Sequence, residues 1–349
     1  TIMKTRLKRI ATGMIALSLV LTGMTGCGQH TDQQPSSGAD TNGAYTVVRY
    51  GVMPSGITQW IGIIDAKKDI FKNHGIQLEP TEFAMGINTV DAIVTDQLDI
   101  GNFADYAGVN RIGNTADETN LRIFTETNRS QIGDGVSANL YVSPDVNSVE
   151  DLKGKHVATI GGSVYDYWYG KLFEAYDLGE EDVSIDSVTS SAEALALANG
   201  GSISAFWANG ADAVKLTDEY GWKALDLGEF SLPAYSYLVS TDTWLKDHHE
   251  TAVEFLKACQ ETLDYMAANE EEVVGWIAEA TGQDEKLVKA NIASWNFDFT
   301  FSQEAYESLV DVSKWCYENG NYEKEYHIAD FISIDAVKEA FPDKVTYTK

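Results

Sequence analysis

Cysteine, histidine and basic side chains are scarce in this chain of 349 residues, and each scarcity closes off a class of function. The three cysteines, Cys27, Cys259 and Cys316, form no CxxC pair, so zinc-ribbon and dithiol-redox chemistry lack their ligands. The six histidines (His30, His74, His156, His248, His249 and His327) fall in no HExxH, and no GxSxG elbow or Walker phosphate loop occurs. Gly161-Gly162-Ser163-Val164-Tyr165-Asp166 is glycine-rich but does not spell GxGxxG, which removes the dinucleotide fingerprint. The uncharged stretch at 10–21 is shorter than the about 20 apolar residues that a membrane-spanning helix needs. Lys and Arg number 25 against 53 Asp and Glu, a net charge of −28. A surface that acidic repels nucleic acid and anionic lipid headgroups. The inventory points to a binder rather than an enzyme, with no catalytic residue, metal or cofactor expected.

The first residues speak for a compartment. Lys4, Arg6, Lys8 and Arg9 precede the short apolar stretch, as in a secretory signal peptide. Met24-Thr25-Gly26-Cys27 then resembles the lipobox of bacterial lipoproteins, with Met24 where leucine is usual. This implies a signal peptide over 1–26, lipid attachment at Cys27, and an extracytoplasmic protein anchored to the cell membrane. An ordinary secretory signal with an incidental cysteine is the alternative. The polar segment 28–44 has no hydrophobic periodicity and reads as a flexible tether, so that 27–44 stands between lipid and globular part. Four of the basic residues lie in the leader, leaving 21 against 53 acids, or −32, on the mature chain.

From 45 onward, strands and helices alternate. Strands are expected at 45–52, 75–79, 98–103, 121–125, 138–143, 156–160, 183–188 and 203–207. Helices are expected at 60–73 and 86–95, and others opening near Ser163, Ser191 and Gly210. Such alternation argues for an α/β fold with mostly parallel sheets. The segment 241–318 reads as almost continuous amphipathic helix, and Cys259 and Cys316 within it are expected as buried free thiols, with a disulfide between them as the alternative. Ile100 and Phe103 echo Ile203 and Phe206 in spacing, each pair preceded by a strand–helix unit. The echo suggests two equivalent lobes.

Several short motifs, in order, carry a resemblance. Tyr50-Gly51 closes the opening strand, and Phe71-Lys72-Asn73-His74-Gly75-Ile76 precedes the second. Asp99-Ile100-Gly101 and Val149-Glu150-Asp151-Leu152-Lys153-Gly154-Lys155-His156-Val157 follow. Together they resemble the nitrate/sulfonate/taurine-type solute-binding proteins of ABC importers over about 45–269. Gly201-Ser202-Ile203-Ser204-Ala205 and Trp207-Ala208-Asn209-Gly210 depart from that family's pattern and bear on the ligand. The resemblance implies a two-lobed, type II periplasmic-binding-protein-like fold with a hinge of two crossing strands, near 138–143 and 235–240. Lobe one would take 45–137 and the return 235–349, and lobe two 138–234. It further implies a monomer that binds a small-molecule ligand and delivers it to an ABC permease and its ATPase. The solute would be an organic nitrogen or sulfur compound, sulfonate/taurine-like or pyrimidine/amine-like. A ligand sensor without transport is the alternative. A pyrimidine-synthase-like enzyme on this fold would use a cysteine-rich motif that is absent here.

Ligands of open α/β sheets bind beyond the carboxyl ends of the strands, where helix N-termini offer unpaired N–H groups. The candidates in lobe one are Ser55, Trp60, Asn102, Asp105, Tyr106 and Arg129, the last as an anion clamp. Those in lobe two are Gly162, Ser163, Tyr165, Trp168, Ser191, Trp207 and Asn209, and Tyr235 returns the chain to lobe one. Ser163 and the N–H groups beside it are expected to grip an acceptor, with a plain helix N-cap as the alternative. Trp207 and Trp168 would cover the ligand body and Asn209 add a hydrogen bond. Trp60, Asp105 and Tyr106 would then complete the enclosure.

Overall fold

A computed structural model describes residues 45–54, 56–132, 138–179 and 181–348. In it β1 (Thr46–Val52) and β2 (Ile76–Glu82) pair in parallel, and the bridge Tyr50↔Ile100 joins β1 to the start of β3 (Gly101–Ala104). β3 lies antiparallel to β10 (Leu232–Thr241), which pairs with β4 (Leu121–Ile132), and β4 pairs with β11 (Asn296–Thr300). The order across this first layer is therefore β2-β1-β3-β10-β4-β11. The second sheet contains β5 (Asn139–Val142), β6 (His156–Ile160), β7 (Ser184–Val188), β8 (Ala205–Ala208) and the short β9 (Lys223–Ala224), in the order β7-β6-β8-β5-β9. Each layer thus holds a parallel triplet, β2-β1-β3 or β7-β6-β8, flanked by an antiparallel strand, β10 or β5.

Parallel strands covered on both faces need side chains that tolerate burial everywhere. Ala205-Phe206-Trp207-Ala208 meets that demand, all four residues being buried. Antiparallel strands beside each parallel triplet make both sheets mixed. The expected crossing strand at 138–143 is β5, paired within the second sheet, and 235–240 is the body of β10, paired within the first. The long ladder between β4 and β10, from Leu121↔Thr241 to Ile132↔Leu232, leads from the first sheet towards the second.

The helices follow the strands. α1 (Ile57–Lys68) and α2 (Ile70–Asn73) replace the single helix expected at 60–73, because Asp69 turns left-handed (φ 55°) between them. α3 (Gly86–Val94), α4 (Asp105–Thr115), α5 (Val164–Ala175), α6 (Ser191–Asn199) and α7 (Gly210–Asp218) each leave the carboxyl end of a strand. The remainder are α8 (Asp242–Asp247), α9 (His249–Ala268), α10 (Glu270–Thr281), α11 (Glu285–Ala293), α12 (Gln303–Glu318) and α13 (Asp335–Ala340). α9 buries Val253, Leu256 and Leu263 on one stripe, and Phe255 sets its ring edge against Tyr50 and Phe71 at 5.3 and 5.4 Å. The last third of the chain is thereby fastened to the first sheet. Cys259 and Cys316 are buried free thiols, as expected. β11 is the exception to the helical reading of 241–318. Phe297, Phe299 and Phe301 alternate there with polar residues, and Phe299 and Phe301 are fully buried. None of the described helices is long and apolar enough to cross a membrane.

Candidate functional site

A cleft of about 430 Å³ lies at the strand ends and draws its walls from both sheets. The first layer contributes Met53, Pro54, Gly56, Ile57 and Thr58 around the start of α1, Asn102 on β3, Thr127 and Asn128 on β4, and Ser236 on β10. The second contributes Tyr165, Ser191, Asn209 and Asp212 from the first turns of α5, α6 and α7 and the residue before α7. Asn291 on α11, Trp295 and Phe297 close a third side. A smaller pocket of about 140 Å³ adjoins it through the shared residues Tyr165, Asn209, Ser236 and Trp295, and reaches Asp105, Trp168 and Tyr235.

Eight of the expected residues therefore gather at these two cavities: Asn102, Asp105, Tyr165, Trp168, Ser191, Asn209 and Tyr235 as lining, with Trp60 directly behind. Trp60 is 1% exposed and stands edge-on to Phe297 at 5.7 Å, supporting the wall rather than forming it. Trp207 is fully buried, with its ring edges against Trp168 at 5.5 Å and Tyr169 at 5.7 Å, and it lines neither cavity. Tyr106 is turned away, stacked on Tyr167, with its hydroxyl accepting from Asn321 Nδ2 at 2.9 Å. Arg129 is an exposed residue of β4 opposite Tyr235 and Asn296, and lines neither cavity. Ser55 and Cys27 lie outside the described residues.

The Gly162-Ser163 turn serves the protein's own backbone. Ser163 Oγ accepts from Tyr165 N at 3.3 Å, the plain N-cap arrangement. Asp166 accepts from Gly162 N at 2.9 Å and from Thr159 Oγ1 at 2.7 Å, so the donor expected to grip a ligand already holds a carboxylate. The same device recurs. Glu193 accepts from Thr189 N and Oγ1 at the head of α6, and Asp105 accepts from Tyr106 N and Tyr235 N at the head of α4. Asp212 stands in the first turn of α7. A carboxylate at a helix N-terminus is stabilised by the aligned peptide dipoles, and it cancels the positive potential an incoming anion would use.

α11 completes the site from outside the sequence expectation. Asn291 Oδ1 accepts from Ala211 N at 2.8 Å, capping α7 from a distant helix. Gly210 makes room for it: its φ is +49°, and a Cβ there would sit 2.2 Å from Asn291 Oδ1. Asp212, Ser236, Asn291, Trp295 and Phe297 were legible only in part. The alternation Asn296-Phe297-Asp298-Phe299-Thr300-Phe301 is the signal that marks β11 and so brings Trp295 to the cleft.

Burial sets the acids of the site apart. The Asp105 side chain is 1% exposed, and burial pushes its carboxyl up to about 6, against the pull of its two backbone hydrogen bonds. Burial likewise raises Asp212, opposed by Ser191 and Lys215. Between about pH 4 and 6 folded Asp105 keeps a proton that the unfolded chain has released. Its contribution to stability is thus greatest below pH 4 and falls, by about 3 kcal/mol in all, as pH rises through 6. Denaturant titrations of the wild type and Asp105→Asn across pH 4–7 should show a downward slope with pH in the wild type that the variant lacks. Parallel curves would contradict it.

Two polar atoms in this region stand without a partner. Asn102, 2% exposed, donates from Nδ2 to the Gly51 carbonyl at 3.0 Å, but its Oδ1 accepts from nothing in the protein. Trp168 Nε1, in a side chain 3% exposed, donates to nothing. Leaving buried groups unpaired costs about 1–3 kcal/mol each, so such atoms mark places where a ligand restores hydrogen bonds. Among the described residues no cluster of His, Cys, Asp and Glu could hold a metal ion.

The family model described as NMT1/THI5 like matches residues 57–273, a segment that holds the second sheet, the first sheet apart from β1 and β11, and most of the cleft lining. The chain belongs to the NMT1/THI5-like family. Solved structures resemble it over most of its length. The alkanesulfonate-binding protein SsuA from Xanthomonas axonopodis pv. citri, bound to MOPS, is 14% identical with a TM-score of 0.67, covering 82% of this chain and 98% of that one. The periplasmic aliphatic sulphonate binding protein SsuA from Escherichia coli is 15% identical with a TM-score of 0.70, covering 82% and 92%. The desulfurization enzyme DSZB is 12% identical with a TM-score of 0.58, covering 85% and 99%. These likenesses show the periplasmic-binding-protein fold for this NMT1/THI5-like chain; the presence of DSZB among them means that the fold alone does not decide between carrier and enzyme. No curated protein matches the sequence.

Proposed function

We propose that this chain is the extracytoplasmic solute-binding component of an ABC importer, a carrier and not an enzyme. The observation that carries the reading is the cleft itself, walled by both sheets and containing buried polar atoms with nothing to bond. Its polar lining is amide, hydroxyl and acidic, set beside aromatic rings, and neither buried cysteine is among the lining residues. Lobe one comprises 45–137 and 235–349, and lobe two 138–234, with the β4–β10 ladder beside the hinge. A small organic nitrogen- or sulfur-containing solute enters the cleft, the lobes close on it, and the loaded monomer docks on its permease and ATPase. Lipid on Cys27 holds the protein at the cell membrane after residues 1–26 are removed, with 27–44 as tether. Cell fractionation should find the processed protein with the membrane after a high-salt wash; release by salt would contradict the anchor.

Binding to the folded state alone stabilises it by about 2.7 kcal/mol at a solute concentration one hundred times Kd. A melting-temperature screen of sulfonates, amines, amino acids and pyrimidines is therefore expected to contain members that raise the transition. A screen in which none does would contradict the carrier reading.

A further inference from the structure

We infer that the cleft selects organic solutes presenting a cationic nitrogen and discriminates against anionic ones, sulfonates included. The inference rests on the solute-binding reading and deepens it.

Four observations point the same way. First, no Lys or Arg is among the described residues lining either cavity. Lys215, one turn along α7 from Asp212, lines neither cavity and forms no ion pair with Asp212. Second, the first turns of α4, α5, α6 and α7 hold Asp105, Asp166, Glu193 and Asp212, so the protein's own carboxylates occupy the helix ends that would otherwise receive an anion. Among the described helices that leave these strand ends, α1 and α3 have no acid in the first turn, and of these two α1 lines the cleft. Third, the partnerless Oδ1 of Asn102 is an acceptor, and it calls for an N–H or O–H from whatever enters. Sulfonate oxygens only accept, and cannot satisfy it; the partnerless donor, Trp168 Nε1, belongs to the smaller pocket, which Asp212 does not line. Fourth, the rings of Trp295, Phe297 and Tyr165 line the same space as the Asp212 carboxylate. Aromatic faces and a carboxylate attract a cation together and repel an anion together.

Matched probes isolate charge from shape. Benzylamine and phenylmethanesulfonate share a ring and a methylene and carry opposite charges at pH 7.5. Calorimetric titration of the folded chain should find benzylamine at least about tenfold tighter, since each tenfold is about 1.4 kcal/mol. Asp212→Asn should weaken benzylamine at least about tenfold and leave or improve phenylmethanesulfonate, while Asp212→Glu restores the preference for the amine. A residue that merely shapes α7 would change both probes alike, so an equal effect on both overturns the role of Asp212. Equal or tighter binding of the sulfonate overturns the inference and leaves the carrier reading standing. If neither probe binds, the solute screen decides: hits confined to anions overturn the inference alone, hits bearing an ammonium or amidinium support it, and no hits at all remove both.

Discussion

Trp207→Ala is expected to destabilise the protein by about 3–5 kcal/mol, the cost typical of emptying a buried aromatic site. The ring is fully buried in β8, packed against Trp168 and Tyr169, and its neighbours on the strand are buried as well. Removing it leaves a cavity that the sheet, locked by β5 on one side and β6 on the other, has little freedom to collapse. Urea denaturation measures the loss directly. Molecules that remain folded should still bind solute, because Trp207 supports the wall through Trp168 and does not form it. An unchanged midpoint with binding abolished would instead give Trp207 the ligand-covering role expected from the sequence.

The opposite pattern is expected at Trp295. It is half-buried, lines both cavities, and belongs to neither of the buried hydrophobic clusters. Trp295→Ala should therefore lower solute affinity by about 2 kcal/mol, roughly thirtyfold, since an aromatic anchor enclosed on binding is the commonest kind of hot spot. The melting temperature of the empty protein should hardly move. Calorimetry on the variant gives the affinity and a thermal scan the stability. A large fall in stability with affinity intact would make Trp295 structural.

The contrast between these two tryptophans shows where sequence reasoning reached and where it stopped. The α/β architecture was legible because parallel strands demand apolar runs, and segments such as Ala205-Phe206-Trp207-Ala208 supply them between helical stretches. The repeated strand order follows from the same units occurring twice. Burial of an aromatic at a strand end is another matter. Trp207 and Trp295 both lie within two residues of an asparagine in sequence, Asn209 and Asn296, and the packing of α5 onto β8 hides the first of them. The self-capping acids were within reach: Ser163-Val164-Tyr165-Asp166 and Ser190-Ser191-Ala192-Glu193 place an acid three residues after a serine, the spacing by which a first turn satisfies its own donors. Giving Ser163 to a ligand overlooked that competition. The contribution of α11 and β11 was not legible by helical periodicity, because Asn291, Trp295 and Phe297 reach the cleft through a tertiary arrangement some 80 residues beyond the strand ends they meet, as the bond from Ala211 N to Asn291 Oδ1 shows. The break at Asp69 likewise depends on a left-handed residue that no hydrophobic pattern announces.

Closure of the cleft on a solute is the central claim, and small-angle scattering tests it most directly. The walls belong to two sheets, and the proposed solute site is the space between them. A ligand that bonds to both sides favours the closed arrangement by its differential affinity. The radius of gyration of the globular part is expected to fall when a solute identified by thermal shift is added to saturation. An unchanged radius, with binding proven by calorimetry on the same sample, would contradict a hinged, two-lobed carrier.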